Sequence, residues 1–312
     1  MLTTSSMKKI FITFILIVLF LFMIYKEKKV ITIGSGGPAG VYYPIAYSMC
    51  QIFNKYNQNQ EVVCEAKLSP GAKHNLDAVD NGDFDMGIAQ YNLEQAAYLG
   101  KGSFFGNPHP NLRMLFNLHY EYLTIIVKKD SGIEKLSDLK GKRVNLSNLG
   151  SGSRVLIDKM IEKMGWTLND FGKVYEESGS YINKVLCTEG EADAAIYTVG
   201  HPNKAFDFIL NKCNTKLISL SDVEIKKFIE LDPNYYFKES IAKNTYKAQK
   251  SQIDTIAMQI VLFASKNSDQ EMIDNFVNIL SSHRDELIMS QPSLIKSFRL
   301  NGSNIYENNY KK

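Results

Sequence analysis

Gly150-Ser151-Gly152-Ser153-Arg154 stands between a short β-branched run and an apolar-periodic segment, which places it at the start of a helix. Amide groups there lack intrahelical partners and the helix dipole adds roughly half a positive charge, so the loop suits an anion. Ser151 and Ser153 offer hydroxyl donors, or act as ordinary caps. Arg154 is more telling. A cation in a first helical turn opposes the dipole by about 0.3–1 kcal/mol unless an anion lies nearby. The expectation is therefore that Arg154 contacts a carboxylate or phosphate. A second glycine-rich loop, Gly34–Gly40, brings Ser35 and Gly37, followed by Tyr42 and Tyr43. The turn at Pro70-Gly71 leads to Asn75, with Lys73 and His74 as weaker candidate cations. Gln90, Thr198 and His201 sit just past predicted strands and complete the set of ligand-binding candidates.

No catalytic constellation accompanies these residues. Gly34-Ser35-Gly36 with Gly40 misses the dinucleotide spacing by one residue, no phosphate-loop Lys-Ser/Thr follows a glycine loop, and neither H-E-x-x-H nor G-x-S-x-G occurs. The five histidines are widely scattered, so no metal spacing is visible. Neither enzymatic activity nor a cofactor is expected.

The elements that position the candidates alternate between strand and helix. A strand over Val30–Ile33, a helix over Val41–Tyr56, a strand over Glu61–Leu68, a helix over Lys73–Asp80 ended by Gly82 and a strand over Phe84–Ala89 predict a parallel sheet covered on both faces. The same order returns with a strand at Arg143–Leu146, a helix at Arg154–Met164, a strand at Lys173–Glu176 and a helix at Tyr181–Cys187. Gly82-x-x-Asp85-x-x-Ile88-x-Gln90 and Gly190-x-x-Asp193-x-x-Ile196-x-Thr198 match at a constant offset of 108 residues. This duplication predicts an α/β fold of two like lobes, with ligand between them at the carboxyl ends of the strands. The chain divides into 1–29 as leader, 30–120 as the first lobe, 121–222 as the second, and 223–312 as a return crossing whose helices pack on the first lobe. The Asn117–Lys128 region carries the chain across.

Met7-Lys8-Lys9 precedes an apolar stretch from Ile10 to Tyr25, which reads as an export signal or an uncleaved membrane anchor. Residues 1–29 hold five lysines against one glutamate, so the net charge of +3 over 312 residues becomes −1 on the remainder. Such a body lacks the basic field that nucleic-acid binding requires. Cys50, Cys64, Cys187 and Cys213 have no C-x-x-C spacing, and export favours disulfides. The pairs Cys50–Cys64 and Cys187–Cys213 are local, and these two bridges are expected.

In this order the motifs resemble the solute receptors of the TAXI branch of TRAP transporters. The resemblance rests on Gly34-Ser35-Gly36-Gly37, Gly40-Val41-Tyr42-Tyr43-Pro44, Asp138 to Asn145, Gly150-Ser151-Gly152 and Thr198-Val199-Gly200-His201-Pro202-Asn203. It implies a type II periplasmic-binding-protein fold and an exported receptor that closes on a small organic anion, glutamate or a dicarboxylate, and delivers it to a TRAP-type membrane permease. Gly71-Ala72 and Gln90-Tyr91-Asn92 depart from the usual Gly-Ser and Gln-Ser-Asp of that family. An extracytoplasmic enzyme or a membrane-tethered sensor on the same fold are the alternative readings.

Overall fold

The computed structural model describes residues 28–38, 40–188, 191–295 and 297–300. The apolar leader stretch and Gly190 of the repeated motif lie outside the described residues. The first half opens with β1 (Lys29–Gly34), α1 (Tyr42–Tyr56), β2 (Val62–Lys67), α2 (Ala72–Asn81), β3 (Met86–Gln90) and α3 (Tyr91–Leu99). A long strand, β4 (Leu112–Lys128), then leads to β5 (Arg143–Asn145), α4 (Gly152–Lys163), β6 (Lys173–Tyr175), β7 (Ala194–Val199), α5 (Lys204–Lys212) and β8 (Thr215–Ile218). The chain returns through α6 (Asp222–Ile229), β9 (Phe237–Ile241) and β10 (Ile253–Ser265), and the described part closes with α7 (Gln270–Ser282), α8 (Arg284–Ser290) and β11 (Arg299–Leu300).

The architecture is α/β, as the alternation of elements predicts. The strands form a single mixed sheet in the order β2-β1-β3-β10-β4-β7-β5-β6. Each outer trio is parallel: β1 lies between β2 and β3, and β5 lies between β6 and β7. The antiparallel strands β4 and β10 join the trios, and pairing between β4 and β7 begins at Tyr122. Nearly every residue of β4 is buried on both faces, which explains why its sequence shows no clean alternation of apolar and polar residues.

The repeated motif has a mechanical cause. Asp85 accepts the Thr32 amide of β1 at 2.8 Å, and Asp193 accepts the Arg143 amide of β5 at 3.0 Å. In each half the aspartate before the third strand therefore ties it to the first strand, while Ile88 and Ile196 enter the core. Helix α1 buries Ile45, Met49, Ile52 and Phe53 along one stripe, and Gly82 ends α2 with φ +82°, a conformation that costs glycine little. The carboxyl-terminal helices pack on α1, where Phe53 meets Phe276 at 5.4 Å between ring centroids.

One predicted helix differs. Over Tyr181–Cys187 the chain makes a 3-10 turn at Gly179–Tyr181 and a π turn at Lys184–Thr188. Seven residues are too few to nucleate an α-helix without tertiary support. Both expected disulfides are present, Cys50–Cys64 with Cα atoms 4.9 Å apart and Cys187–Cys213 with Cα atoms 5.2 Å apart. Among the described residues no helix is long and apolar enough to cross a membrane.

Cys50–Cys64 joins α1 to β2 over a separation of 14 residues, for which chain entropy gives about 3 kcal/mol. The Cys50→Ser/Cys64→Ser double variant should lose about that much stability in denaturant unfolding. An unchanged midpoint and slope would show that the bridge is dispensable.

Candidate functional site

The loops at the carboxyl ends of the parallel strands enclose a cavity of about 380 Å³. Gly37, Gly40, Ser69 and Pro70 line it from the first half, and Asn148, Ser151, Ser153, Thr198, Asn203 and Phe206 are among the lining residues from the second. The rims approach closely: a Cβ placed on Gly37 would lie 2.8 Å from Ser180 Oγ. Among the described residues none of the lining side chains carries a formal charge and six are serines, so this is a site of neutral donors and acceptors. Helix α4 begins at its edge. Ser151 caps the helix by accepting the Arg154 amide at 3.1 Å, and Ser147 holds the approach loop at φ +67°, a costly value for a residue with a side chain.

Beneath the cavity lies a carboxyl group that sequence reasoning missed. Glu121, on β4 where the sheet passes from one half to the other, is 6% exposed. Its Oε2 accepts the Gln90 amide at 2.9 Å and the Thr198 hydroxyl at 2.9 Å. The Tyr42 hydroxyl faces the same group, so its hydrogen-bonding partners are all neutral. Burial pushes the carboxyl up to about 7, against the opposing effect of these hydrogen bonds. Thr198 Oγ1 also lies 2.8 Å from Ser153 Oγ, whose oxygen accepts the Thr198 amide at 3.0 Å. Gln90 and Thr198, matched by the repeat at an offset of 108, meet at 3.4 Å. A Cβ on Gly152 would overlap the Gln90 amide, so glycine is what lets α4 approach the first half.

The candidates therefore separate into four groups. Gly37, Ser151, Ser153 and Thr198 line the cavity. Behind it, Ser35 donates to the Lys67 carbonyl at 2.6 Å, and Asn75 donates to the carbonyls of Ser35 and Ile88 at 2.6 and 2.8 Å. These two hold the loop and strands of the first half in place. Gln90 and Tyr42 belong to the Glu121 network. His201 is also behind the wall, with Nε2 2.9 Å from Thr124 Oγ1 and Nδ1 against the Tyr246 hydroxyl, and burial pushes it down to about 3.

Tyr43 packs beside Tyr47, away from the lining. Lys73 pairs with Asp77 at 2.7 Å, and His74 packs on Phe84. Arg154 requires a correction. Its guanidinium bonds Asp158 at 2.7 Å and Glu176 at 2.6 Å, so the anions that offset it in the first turn belong to the chain itself. Ser69 and Phe206 carry no distinguishing signal, and Asn203 is visible only as the last residue of the Thr198–Asn203 motif. Glu121 had one: a lone carboxylate in the apolar run that becomes β4.

Comparison with known proteins bears on the family and the fold. Residues 33–303 match the model of the NMT1-like family. The chain belongs to that family. PhnD1 from Prochlorococcus marinus, solved in complex with methylphosphonate, superposes on this NMT1-like chain with a TM-score of 0.54 at 14% identity, covering 90% of this chain and 95% of that one. A protein from Listeria monocytogenes assigned to L-cystine ABC transport gives a TM-score of 0.52 at 17% identity, with 86% and 98% covered. The fold is thus that of these two solved proteins.

Glu121 holds its proton more tightly in the folded chain, about 7 against an ordinary 4.5. Its contribution to stability is complete below the lower value and is lost as pH rises through the higher one. Glu121→Gln should therefore unfold at a higher temperature than the native protein at about pH 8.5, by the equivalent of about 3 kcal/mol, with the gap closing near pH 5. Thermal unfolding at the two pH values measures this, and a gap independent of pH would contradict it.

Proposed function

We propose that this protein is an exported solute receptor that encloses a small organic anion between the two halves and presents it to a membrane permease. The observation that carries the reading is the uncharged, serine-rich cavity at the carboxyl ends of two parallel strand sets, with the start of α4 at its edge. An anion there would be held by hydroxyl and amide donors and by the helix dipole, without a cation opposite it. Ser151 and Asn148 would meet the carboxylate, and Asn203 and Thr198 would read the remainder of the solute. The motifs shared with TAXI receptors favour a glutamate-like or dicarboxylate solute and a TRAP-type, ion-driven permease. The local disulfides and the basic-apolar leader favour an extracytoplasmic location. Closure follows from differential contact: a solute bound to one half gains its remaining partners only when the other half meets it.

A thermal-shift screen of amino acids and dicarboxylates tests the reading. A binding solute should raise the melting temperature, and Gly37→Val, whose side chain would meet Ser180 at the rim, should abolish the rise while leaving the ligand-free protein folded. Arg154→Ala should lower the melting temperature by the equivalent of about 1 kcal/mol, since its partners are half exposed, and should leave the ranking of solutes unchanged. A solute that stabilises native and Gly37→Val protein equally would place binding elsewhere. A changed ranking in Arg154→Ala would return that residue to the site.

A further inference from the structure

A hydroxyl has one hydrogen and two acceptor positions, so a row of hydroxyls ending on a carboxyl group has a direction. Glu121 Oε2, Thr198 Oγ1 and Ser153 Oγ form such a row, with steps of 2.9 and 2.8 Å, and Ser153 borders the cavity. With the carboxylate ionised, Thr198 must donate to Glu121 and Ser153 must donate to Thr198. Ser153 also accepts the Thr198 amide at 3.0 Å, which leaves a single lone pair for the cavity. With a proton from solvent on Oε2, every step reverses. Glu121 donates to Thr198, Thr198 donates to Ser153, both acceptor positions of Ser153 are filled, and its hydrogen is released toward the cavity. The competing acceptor is the Thr198 carbonyl at 3.4 Å. The Gln90 amide donates to Oε2 in either state.

We infer that Glu121 is a positioning residue that sets the hydrogen-bond polarity of Ser153, so that the cavity takes up an anion together with one proton. The inference deepens the receptor reading and rests on it. An ionised Glu121 presents a lone pair where an anion needs a donor, whereas a protonated one presents the donor. Burial brings both states within reach of neutral pH. Among the described residues the titratable groups packed against Glu121 are Tyr42 from α1 and, two residues away on β4, His119; burial holds the first well above and the second well below neutrality, so both stay uncharged. Strands β3, β7 and β10 face it with Gln90, Thr198 and Met258, and α4 reaches it through Ser153, none of which titrates.

L-glutamate is a suitable anionic probe because both of its carboxyl groups stay ionised between about pH 5.5 and 8.5. Calorimetric titration in buffers of different ionisation enthalpy should show proton uptake near neutrality, and affinity should fall by up to about tenfold per pH unit above the midpoint. Direct repulsion by Glu121 would give the same sign, so Ser153→Ala decides between them. It keeps the carboxyl group but removes the relay, and should lose the pH dependence; Glu121→Gln should lose it too, at an affinity near that of the native protein at low pH. A native pH slope retained in Ser153→Ala, or a flat profile in native protein that binds the probe, overturns the inference. Failure of the probe to bind counts against the receptor reading, and the relay is then judged without ligand. The carboxyl 13C resonance of Glu121, assigned by its loss in Glu121→Gln, should titrate near 7 and move upward in Thr198→Val, which removes a donor to the ionised form. A midpoint at the ordinary 4.5 overturns the relay whatever the cavity holds.

Discussion

The molecule depends on how it accommodates one carboxyl group in the middle of its longest strand. Removing a carboxylate from water is costly unless it is hydrogen-bonded. Gln90 from the end of β3 and Thr198 from the end of β7 provide the bonds, which means that the two parallel trios are tied to the same atom. The position of the cavity follows. The loops beyond β3 and β7 must converge above Glu121, and α4 must start close enough for Ser153 to join Thr198.

Duplication explains why the halves can converge in this way. The aspartates that anchor the third strand to the first, Asp85 and Asp193, make equivalent bonds to backbone amides and set the two trios in equivalent geometry. The residues five positions later then arrive at matching places from opposite sides. Where the halves differ, their contributions differ as well. The first half gives Gly37, Gly40, Pro70 and one serine, Ser69, while the second gives the other five serines and the helix start. The halves are alike in framework and complementary at the surface where they meet.

The fate of Arg154 illustrates a general point about charge near a helix start. The dipole argument requires a nearby anion, and it is indifferent to whether that anion is a guest or part of the chain. Asp158 follows one helical turn later and Glu176 comes from the segment after β6, so both are the chain's own. With that cation satisfied by the chain, the described lining of the cavity carries no formal charge, and its polar groups are hydroxyls and amides.

The sequence by itself determined the alternation of strands and helices, the paired Asp and Gln/Thr positions, both disulfide pairs and the loops that supply Ser151, Ser153 and Gly37 to the cavity. These are legible because they depend on local periodicity, on turn residues, or on a repeat that compares the chain with itself. Tertiary structure alone decided that the two sheets are one, because β4 and β10 are buried on both faces and carry no alternating pattern to announce their partners. It also decided that Arg154 turns to Glu176 and that Ser35 and Asn75 brace the loops behind the wall. Above all it decided that Glu121 lies between Gln90 and Thr198, 31 and 77 residues away in the chain. No local pattern encodes such a meeting, since the spacing of side chains along one strand says nothing about which loops will close over it.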